Sequence, residues 1–391
     1  MIAATLLVAG ALALRPPVAG GSVPAARPAG ATGGLTDGAR LSSIYDTILE
    51  ARFDDARAQL TAACPPAPVA ACDALREVAL WWEIQQDQWS RQLDPRFEAA
   101  AAAAIRSATA WTTREPSRGE AWFYLAGAYA PLAQWRVLRG ERLSAARDGK
   151  RIKDSLERAL SLDSRLHDAW FGIGLYHYYA DVAPSALKVL RFLLLLPGGD
   201  RVEGLKEMLR ARDQGELLRG EADYQMHFVY LWYEQNPERA LQLLGGLNAR
   251  YPSNPLFLQR IAHVEHLYVG NHQASADSWQ ALLDRVAPGR VRFASIANAR
   301  ARVGLAAELV ELSQARRAIE LIDPLFRARP SEPYGALALA QLTLGDARAS
   351  LGDRSAAIAA YARALDSAPL DDPDNVRDRA RAGLALARSR R

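Results

Sequence analysis

The sequence predicts an all-α protein whose helices are stacked in pairs to form a solenoid. Beyond residue 35, apolar residues recur at helical spacing in almost every window, without the alternation that is typical of strands. Proline or glycine interrupts this pattern roughly every 12 to 20 residues, which indicates helices of about 10 to 15 residues joined by short turns. A fixed spacing of small and large residues then recurs along the chain, as it does in repeat proteins.

The N-terminal segment has the composition of an export signal followed by a linker. Residues 2–14 form an apolar stretch with the length of a signal-peptide core, shorter than the roughly 20 residues of a membrane-spanning helix. We therefore predict a signal peptide over 1–20, a disordered linker over 21–35 and one helical repeat domain over 36–391. This organisation predicts an exported, periplasmic or cell-envelope protein without a membrane span in the mature chain. A cytoplasmic location is the alternative if the apolar segment is not a signal.

The only two cysteines, Cys64 and Cys72, lie in the Pro-rich segment AACPPAPVAACDAL. In an exported chain a local disulfide is one interpretation of this pair, and it would fix a loop between two helices. The alternative is two free thiols near helix ends. The spacing fits no zinc site, so we predict no metal here.

The clearest repeat unit is the segment AQLTLGDARASLGDRSAAIAAYARALDSAP, residues 340–369. Small residues at fixed positions let its two helices approach closely, and a large residue fills the gap to the next unit. A final proline stops the second helix, because it has no amide hydrogen to donate. The residues in these roles are Leu344, Gly345, Ala357, Tyr361, Ala364 and Pro369.

The same spacing recurs upstream, so that about eight helix pairs fit between residue 36 and the C-terminus. The unit that begins near Trp122 is expected to carry an insertion of about 14 residues around 136–149. The matching positions are Ala56, Leu60 and Ala63; Ala104, Ala108 and Trp111; Trp122, Leu125 and Ala126; Trp170, Gly174 and Ala186; Ala240, Leu244 and Leu247; Gly270, Trp279 and Leu282; and Ala318 and Ile322.

With this spacing the chain resembles the tetratricopeptide repeat (TPR) superfamily, whose unit is a helix-turn-helix of about 34 residues. Gln341 departs from the pattern, which has a large residue at that position. The resemblance implies a right-handed superhelical solenoid whose first helices line a concave groove for a protein or peptide partner. It implies no catalytic residues and no cofactor.

The central segment breaks the strict period. Trp170 and Gly174 predict a first helix over about 168–180 and a second over about 184–196, followed by one extra helix over 202–220 that Asp200 caps. This part resembles the inclusion-body-clearance/TPR-39 family over about residues 165 to 260, which implies an interaction role. Its glycines do not form a phosphate loop, because Leu205 stands where that motif needs lysine.

No convincing catalytic signature is present, so the sequence predicts no enzyme. A net charge of +4 over 391 residues is too small to indicate nucleic-acid binding. His263 and His266 lie three residues apart on one predicted helical face and could share a metal ion if His227 or Glu234 supplied a third ligand. We interpret them instead as ordinary surface or half-buried histidines and predict no metal site.

The repeat positions that line the groove in TPR proteins give a candidate binding site in the central units. The leading hypothesis is a non-catalytic scaffold or adaptor that binds a protein segment there; the alternative is a small-molecule or lipid binder with an apolar pocket near Trp170 to Trp232. Half of the candidate side chains could instead pack within their own repeats. The candidates are Phe123, Phe171, Leu175, Tyr178, Gln225, Val229, Trp232 and Arg260.

Overall fold

The computed structural model describes residues 34–182 and 198–389, and these ranges contain seventeen α-helices and no β-strand. The predicted signal peptide lies outside the described residues, as does the linker apart from its last two positions. The helices are α1 Gly38–Leu49, α2 Phe53–Ala63, α3 Val69–Gln86, α4 Asp94–Arg114, α5 Gly119–Leu138, α6 Arg142–Leu162, α7 Ala169–Val182, α8 Arg201–Gln214, α9 Arg219–Trp232, α10 Pro237–Arg250, α11 Pro255–Val264, α12 His272–Val286, α13 Ala294–Glu311, α14 Ala315–Ala328, α15 Ala336–Ser350, α16 Arg354–Ser367 and α17 Val376–Ser389.

The described helices form eight consecutive pairs, α1 with α2 through α15 with α16, and α17 covers the last pair. The second helix of each pair also packs against the first helix of the following pair, so the stacking continues from α1 to α17. This arrangement confirms the all-α solenoid and the expected number of pairs. Among the described helices, none is both long and apolar enough to cross a membrane.

The C-terminal pairs illustrate why small residues recur at fixed positions. The ring of Tyr361 in α16 lies directly over two glycines: a Cβ atom at Gly345 would come within 2.4 Å of the ring, and one at Gly383 within 2.5 Å. Ala357 and Ala364 are fully buried in the same packing. The aromatic residue of the repeat therefore fills the space that small residues on the two neighbouring helices leave open.

Several helices are longer than the 10 to 15 residues that the sequence predicts. The four helices α3 to α6 have 18 to 21 residues each. The expected insertion around 136–149 is helical: it lengthens α5 and α6, which a short turn at Gly140 joins with a φ of 84°. Because both helices grow together, the extra turns pack against each other and need no loop.

Within the described residues, α7 makes one especially close helix pairing in the central segment. Its partner is α8, and the two backbones meet at Gly174 and Gly204, where an added Cβ atom on either glycine would lie 2.6 Å from the carbonyl oxygen of the other. The predicted second helix over 184–196 and Ala186 lie outside the described residues. The predicted extra helix over 202–220 is wrong in extent, because α8 ends at Gln214 and α9 begins at Arg219. Asp200 caps α8 as expected, since its carboxylate accepts from the amides of Val202 and Glu203.

The N-terminal helices pack against first helices of much later pairs. The side chain of Trp82 in α3 lies 4.7 Å from the ring of Tyr224 in α9 and 6.1 Å from that of Phe257 in α11. Farther along, the carboxylate of Asp87 pairs with Arg300 of α13 at 3.3 Å and accepts from the amide of Tyr334 at 2.9 Å. The helices α1 to α3 therefore share one hydrophobic core with the central repeats.

The end of α1 is held against the segment that precedes α11. The hydroxyl of Tyr251 donates to Asp46 at 2.6 Å, and the side-chain amide of Asn254 donates to the carbonyl of Leu49 at 2.8 Å. Asn254 is fully buried, so its hydrogen bonds are made where water does not compete. At the other end of α2, Cys64 and Cys72 form a disulfide that joins α2 to α3.

Candidate interaction site

Four of the eight predicted groove residues are core residues in the structure. Phe123, Phe171, Tyr178 and Val229 are each at most 5% exposed, so they cannot contact a partner, and their assignment to the binding groove is corrected. Phe123 packs in the core that α1 to α3 complete. The other three belong to a cluster between α7, α8 and α9, where the close approach of the paired helices leaves no open face. This is the alternative that the sequence pattern had left open.

The remaining four predicted residues reach the surface to different degrees. Leu175 is half-buried against the cluster of α7 and α8, and Gln225 is half-buried with its side-chain amide bonded to Gln134 at 2.9 Å and Glu221 at 2.7 Å. Arg260 is also half-buried, whereas Trp232 is 45% exposed. Of the predicted set, Trp232 and Arg260 lie beside further aromatic side chains of α9 and of the segment after α11.

We call this part of the molecule the α9–α11 surface, defined by Phe228, Trp232, Arg260, Leu267, Tyr268 and Val269. The rings of Phe228 and Trp232 lie 4.7 Å apart on α9, and the guanidinium of Arg260 lies 5.7 Å from the centre of the Phe228 ring. The indole N–H of Trp232 donates to the hydroxyl of Tyr268 at 2.9 Å. The two exposed aromatic side chains are thus held in fixed positions relative to each other.

A π-helical turn after α11 builds one half of the surface. It covers Glu265–Val269 and ends at Gly270, whose φ of 70° suits glycine because a side chain would strain this left-handed conformation. The wider turn directs Leu267, Tyr268 and Val269 to solvent, and each is 44% to 53% exposed. Such π-helical turns are rare within proteins and are frequent at functional sites.

A buried, uncharged histidine lies beneath the surface. His227 is 1% exposed and lies against the ring of Phe228, and burial lowers its pKa to about 3, so the imidazole is neutral at physiological pH. It serves as a core residue, not as a metal ligand for His263 and His266. Glu234, the other suggested ligand, is bound by the hydroxyl of Tyr178 and by Arg201 at 2.7 Å.

The histidines of the HVEH segment separate in the structure. His263 is exposed and lies edge-on against Trp279, with the ring centres 5.2 Å apart. His266 belongs to the π-helical turn and faces His272 and Glu308. His272 and Glu308 were not predicted as site residues from the sequence. They lie on the next two helices, and no regular spacing along the chain relates them to His266.

Phe228 and the three exposed residues of the π-helical turn were not predicted from the sequence. The available signal was the run of apolar residues directly before Gly270-Asn271. Glycine at this position indicates the end of a helix, where apolar side chains lack the cover of a following turn. Helical periodicity alone does not reveal that the turn widens and directs these side chains outward.

Two clefts among the described residues lie outside the central repeats. One of about 450 Å³ lies between α16 and α17, beside Leu365 and Leu384. The other, of about 440 Å³, lies between the start of α3 and the end of α4, beside Val69 and Trp111. Both are open to solvent, whereas a small apolar ligand is expected to occupy an enclosed pocket.

Comparisons with known proteins show similarity to solved structures in the backbone fold, without a match in sequence. The chain is similar to a chain of the APC/C hetero-tetramer Cut9-Hcn1, with 13% identity over 89% of this chain and a TM-score of 0.49; this chain spans 55% of that one. It is also similar to the TPR domain of P58(IPK), with 12% identity over 81% of this chain and 97% of that domain, and a TM-score of 0.20. No family model and no curated protein matches the sequence. These similarities are too distant to transfer a partner or an activity.

Proposed function

We propose that this protein is a non-catalytic helical-repeat adaptor that binds a protein segment on the α9–α11 surface. The observation that carries the proposal is the hydrogen-bonded pair of exposed aromatic residues, Trp232 and Tyr268, on a rigid helical scaffold. Tryptophan and tyrosine contribute large contact areas at little entropic cost and are enriched among residues that dominate binding energy.

The chemistry of the surface favours a segment with apolar side chains flanked by hydrogen-bond acceptors. The aromatic faces and the aliphatic Leu267 and Val269 suit apolar groups, while Arg260 adds positive charge beside Phe228. An extended or helical peptide offers both features along one edge. The proposal therefore retains the adaptor role implied by the TPR-like repeats and keeps Trp232 and Arg260 of the predicted groove residues, but it replaces the buried ones with residues of the π-helical turn.

We further propose that the protein acts in the cell envelope. The apolar residues 2–14 support an export signal, and the disulfide between Cys64 and Cys72 fits an oxidising compartment. Thiol alkylation of the protein from its native cells, without reductant, tests this location. Unmodified cysteines support it, and alkylation of both cysteines contradicts it.

Loss of the exposed aromatic pair tests the adaptor role. In native cells, the double variant Trp232→Ala/Tyr268→Ala should retain its helical content, because both side chains are largely outside the core, yet it should lose specific co-purified proteins at least tenfold. Leu386→Ala on α17 is the matched control, because it also removes an exposed apolar side chain. Identical sets of co-purified proteins for the double variant and wild type would contradict the proposal.

The small-molecule or lipid alternative predicts a different result. It requires an apolar pocket near Trp170 to Trp232. Mass spectrometry of the protein purified from native cells, under non-denaturing conditions, would detect a stoichiometric bound lipid or small molecule if this alternative holds.

A further inference from the structure

Three side chains that are capable of binding a metal converge beneath the π-helical turn. His266 comes from the turn itself, His272 is the first residue of α12, and Glu308 lies in α13. Their candidate ligand atoms all lie within 4.8 Å of one another. The cluster thus draws one ligand from each of three consecutive structural elements.

Both imidazoles face the same carboxylate. The Nδ1 atom of His272 lies 2.9 Å from Oε2 of Glu308, and the Nδ1 atom of His266 lies 3.0 Å from Oε1. Ligands at about 2.1 Å from a tetrahedral zinc ion are about 3.4 Å apart, so an ion would enter after the side chains separate by a few tenths of an ångström. The carboxylate would then replace its contacts to the two rings with a bond to the ion.

Burial and a neighbouring hydroxyl fix the position of the carboxylate. Glu308 is only 3% exposed, and the hydroxyl of Ser275 donates to its Oε1 atom at 2.9 Å while it also contacts the carbonyl of Ala262. A hydrogen bond of this kind orients a metal-binding carboxylate in many metalloproteins. A buried carboxylate also needs a positive partner, which a divalent cation supplies.

The two histidine side chains are each 36% exposed, so the cluster is accessible from solvent. This accessibility gives an ion a path of entry and leaves room for water or a further ligand in its coordination shell. Two imidazoles with one carboxylate form a set that binds Zn²⁺ and related transition-metal ions, whereas Mg²⁺ and Ca²⁺ prefer oxygen ligands alone.

We propose that His266, His272 and Glu308 form a binding site for a divalent transition-metal ion, with Zn²⁺ as the representative ion. The ion cross-links the π-helical turn to α12 and α13, and it stabilises the segment that presents Leu267, Tyr268 and Val269. Because metal binding to a folded site adds to folding stability, occupancy also raises the melting temperature. This inference stands independently of the proposed adaptor function.

Titration of the full-length, tag-free protein with Zn²⁺ tests the site. Isothermal titration calorimetry should give one ion per chain, and binding should be at least tenfold weaker in each of the variants His266→Ala, His272→Ala and Glu308→Gln. Glu308→Gln keeps the shape and the hydrogen-bonding capacity of the side chain, so its fold is retained. Zn²⁺ should raise the melting temperature of the wild type and leave that of Glu308→Gln unchanged.

His263→Ala provides the matched control. His263 lies one turn before His266 but faces Trp279, so this variant should bind Zn²⁺ with the affinity of the wild type. Visible absorption of the Co²⁺-substituted protein gives a second readout, because the spectrum reports on nitrogen and oxygen ligands. The absence of stoichiometric binding, or equal affinity in wild type and Glu308→Gln, would overturn the proposal, as would loss of binding in His263→Ala alone.

Discussion

The indole N–H of Trp82 donates a hydrogen bond to a carboxylate oxygen of Glu221 at 3.0 Å, although the two residues are 139 positions apart. The hydroxyl of Tyr45 donates to the same oxygen at 3.0 Å, and Gln225 donates to the other at 2.7 Å. Through these bonds α1 and α3 are attached to α9. The N-terminal helices therefore pack against a polar face of the central repeats. In an open array of repeats, this face would be accessible to a partner.

Removal of the Glu221 carboxylate should weaken the attachment of α1 and α3 to α9. Glu221→Ala leaves the donors of Tyr45 and Trp82 buried without an acceptor, and we expect the free energy of unfolding to fall by about 3 kcal/mol. Glu238 is exposed on α10, so Glu238→Ala should change the free energy of unfolding by less than about 0.5 kcal/mol. Urea unfolding measures both values. Equal effects of the two substitutions would contradict the proposed role of Glu221.

A second buried carboxyl, that of Glu77 in α3, should make stability depend on pH. Burial raises the pKa of Glu77 well above its ordinary value of 4.5, and the nearby backbone amide of Leu132 opposes this shift only in part. The folded state therefore holds the proton more tightly than the unfolded state. The stabilising contribution of the protonated Glu77 carboxyl is fully present below about pH 4.5. It falls as the pH rises toward the pKa of Glu77 in the folded state, by at most about 1.4 kcal/mol per pH unit.

Glu77→Gln should abolish this contribution, because a neutral amide replaces the titrating group. The difference in unfolding free energy between Glu77→Gln and the wild type should grow in favour of the variant as the pH rises above 4.5. Denaturant unfolding at a series of pH values measures it, with the exposed Glu98→Gln of α4 as the control. Parallel pH profiles for Glu77→Gln and the wild type would rule out the buried, protonated carboxyl.

The contact of α7 with α8 predicts a strong dependence on side-chain size. Gly204→Ala places a methyl group 2.6 Å from the backbone of α7, so the two helices must separate, and we expect a loss of about 1 to 3 kcal/mol. Gly127 lies within α5 with open space around it, and Gly127→Ala should raise stability by up to about 1 kcal/mol, because alanine favours the helix. Thermal unfolding compares the two variants; if both stabilise the protein, the proposed close pairing is wrong.

The sequence predicted the architecture well, because the repeat pattern records local packing. Ala357, Tyr361 and Ala364 occupy the roles that their spacing assigns, and Asp200 caps a helix as expected. These features depend on residues within one or two turns of each other. Spacing along the chain is therefore enough to reveal them.

In the central segment, repeat spacing leaves two candidates for the helix that packs against α7. Gly204, Met208 and Ala211 have the small-large-small spacing of a second helix and are all buried, but the earlier Ala186 also fits that spacing from Gly174. Both positions satisfy the same local pattern, and Ala186 lies outside the described residues. Among the described residues, Gly204 makes the backbone contact with Gly174.

The groove assumption treats every repeat as open on one side, which is wrong at the four buried residues of the predicted set. Trp232 and Arg260 lie on the α9–α11 surface, but Tyr178 and Val229 are in the core. The position of α1 to α3 against later repeats depends on contacts such as Trp82 with Glu221. Repeat spacing carries no information about contacts between elements so distant in sequence.

Site-specific photo-crosslinking tests the central claim, partner recognition on the α9–α11 surface, most directly. A photoreactive phenylalanine analogue replaces Leu267 in one protein and the exposed Leu386 of α17 in the other, and both are irradiated in native cells. We expect a discrete protein adduct from position 267, which is lost when Trp232→Ala is added, and no adduct of the same mass from position 386. The same adducts from both positions, or an adduct from 267 that persists with Trp232→Ala, would contradict it.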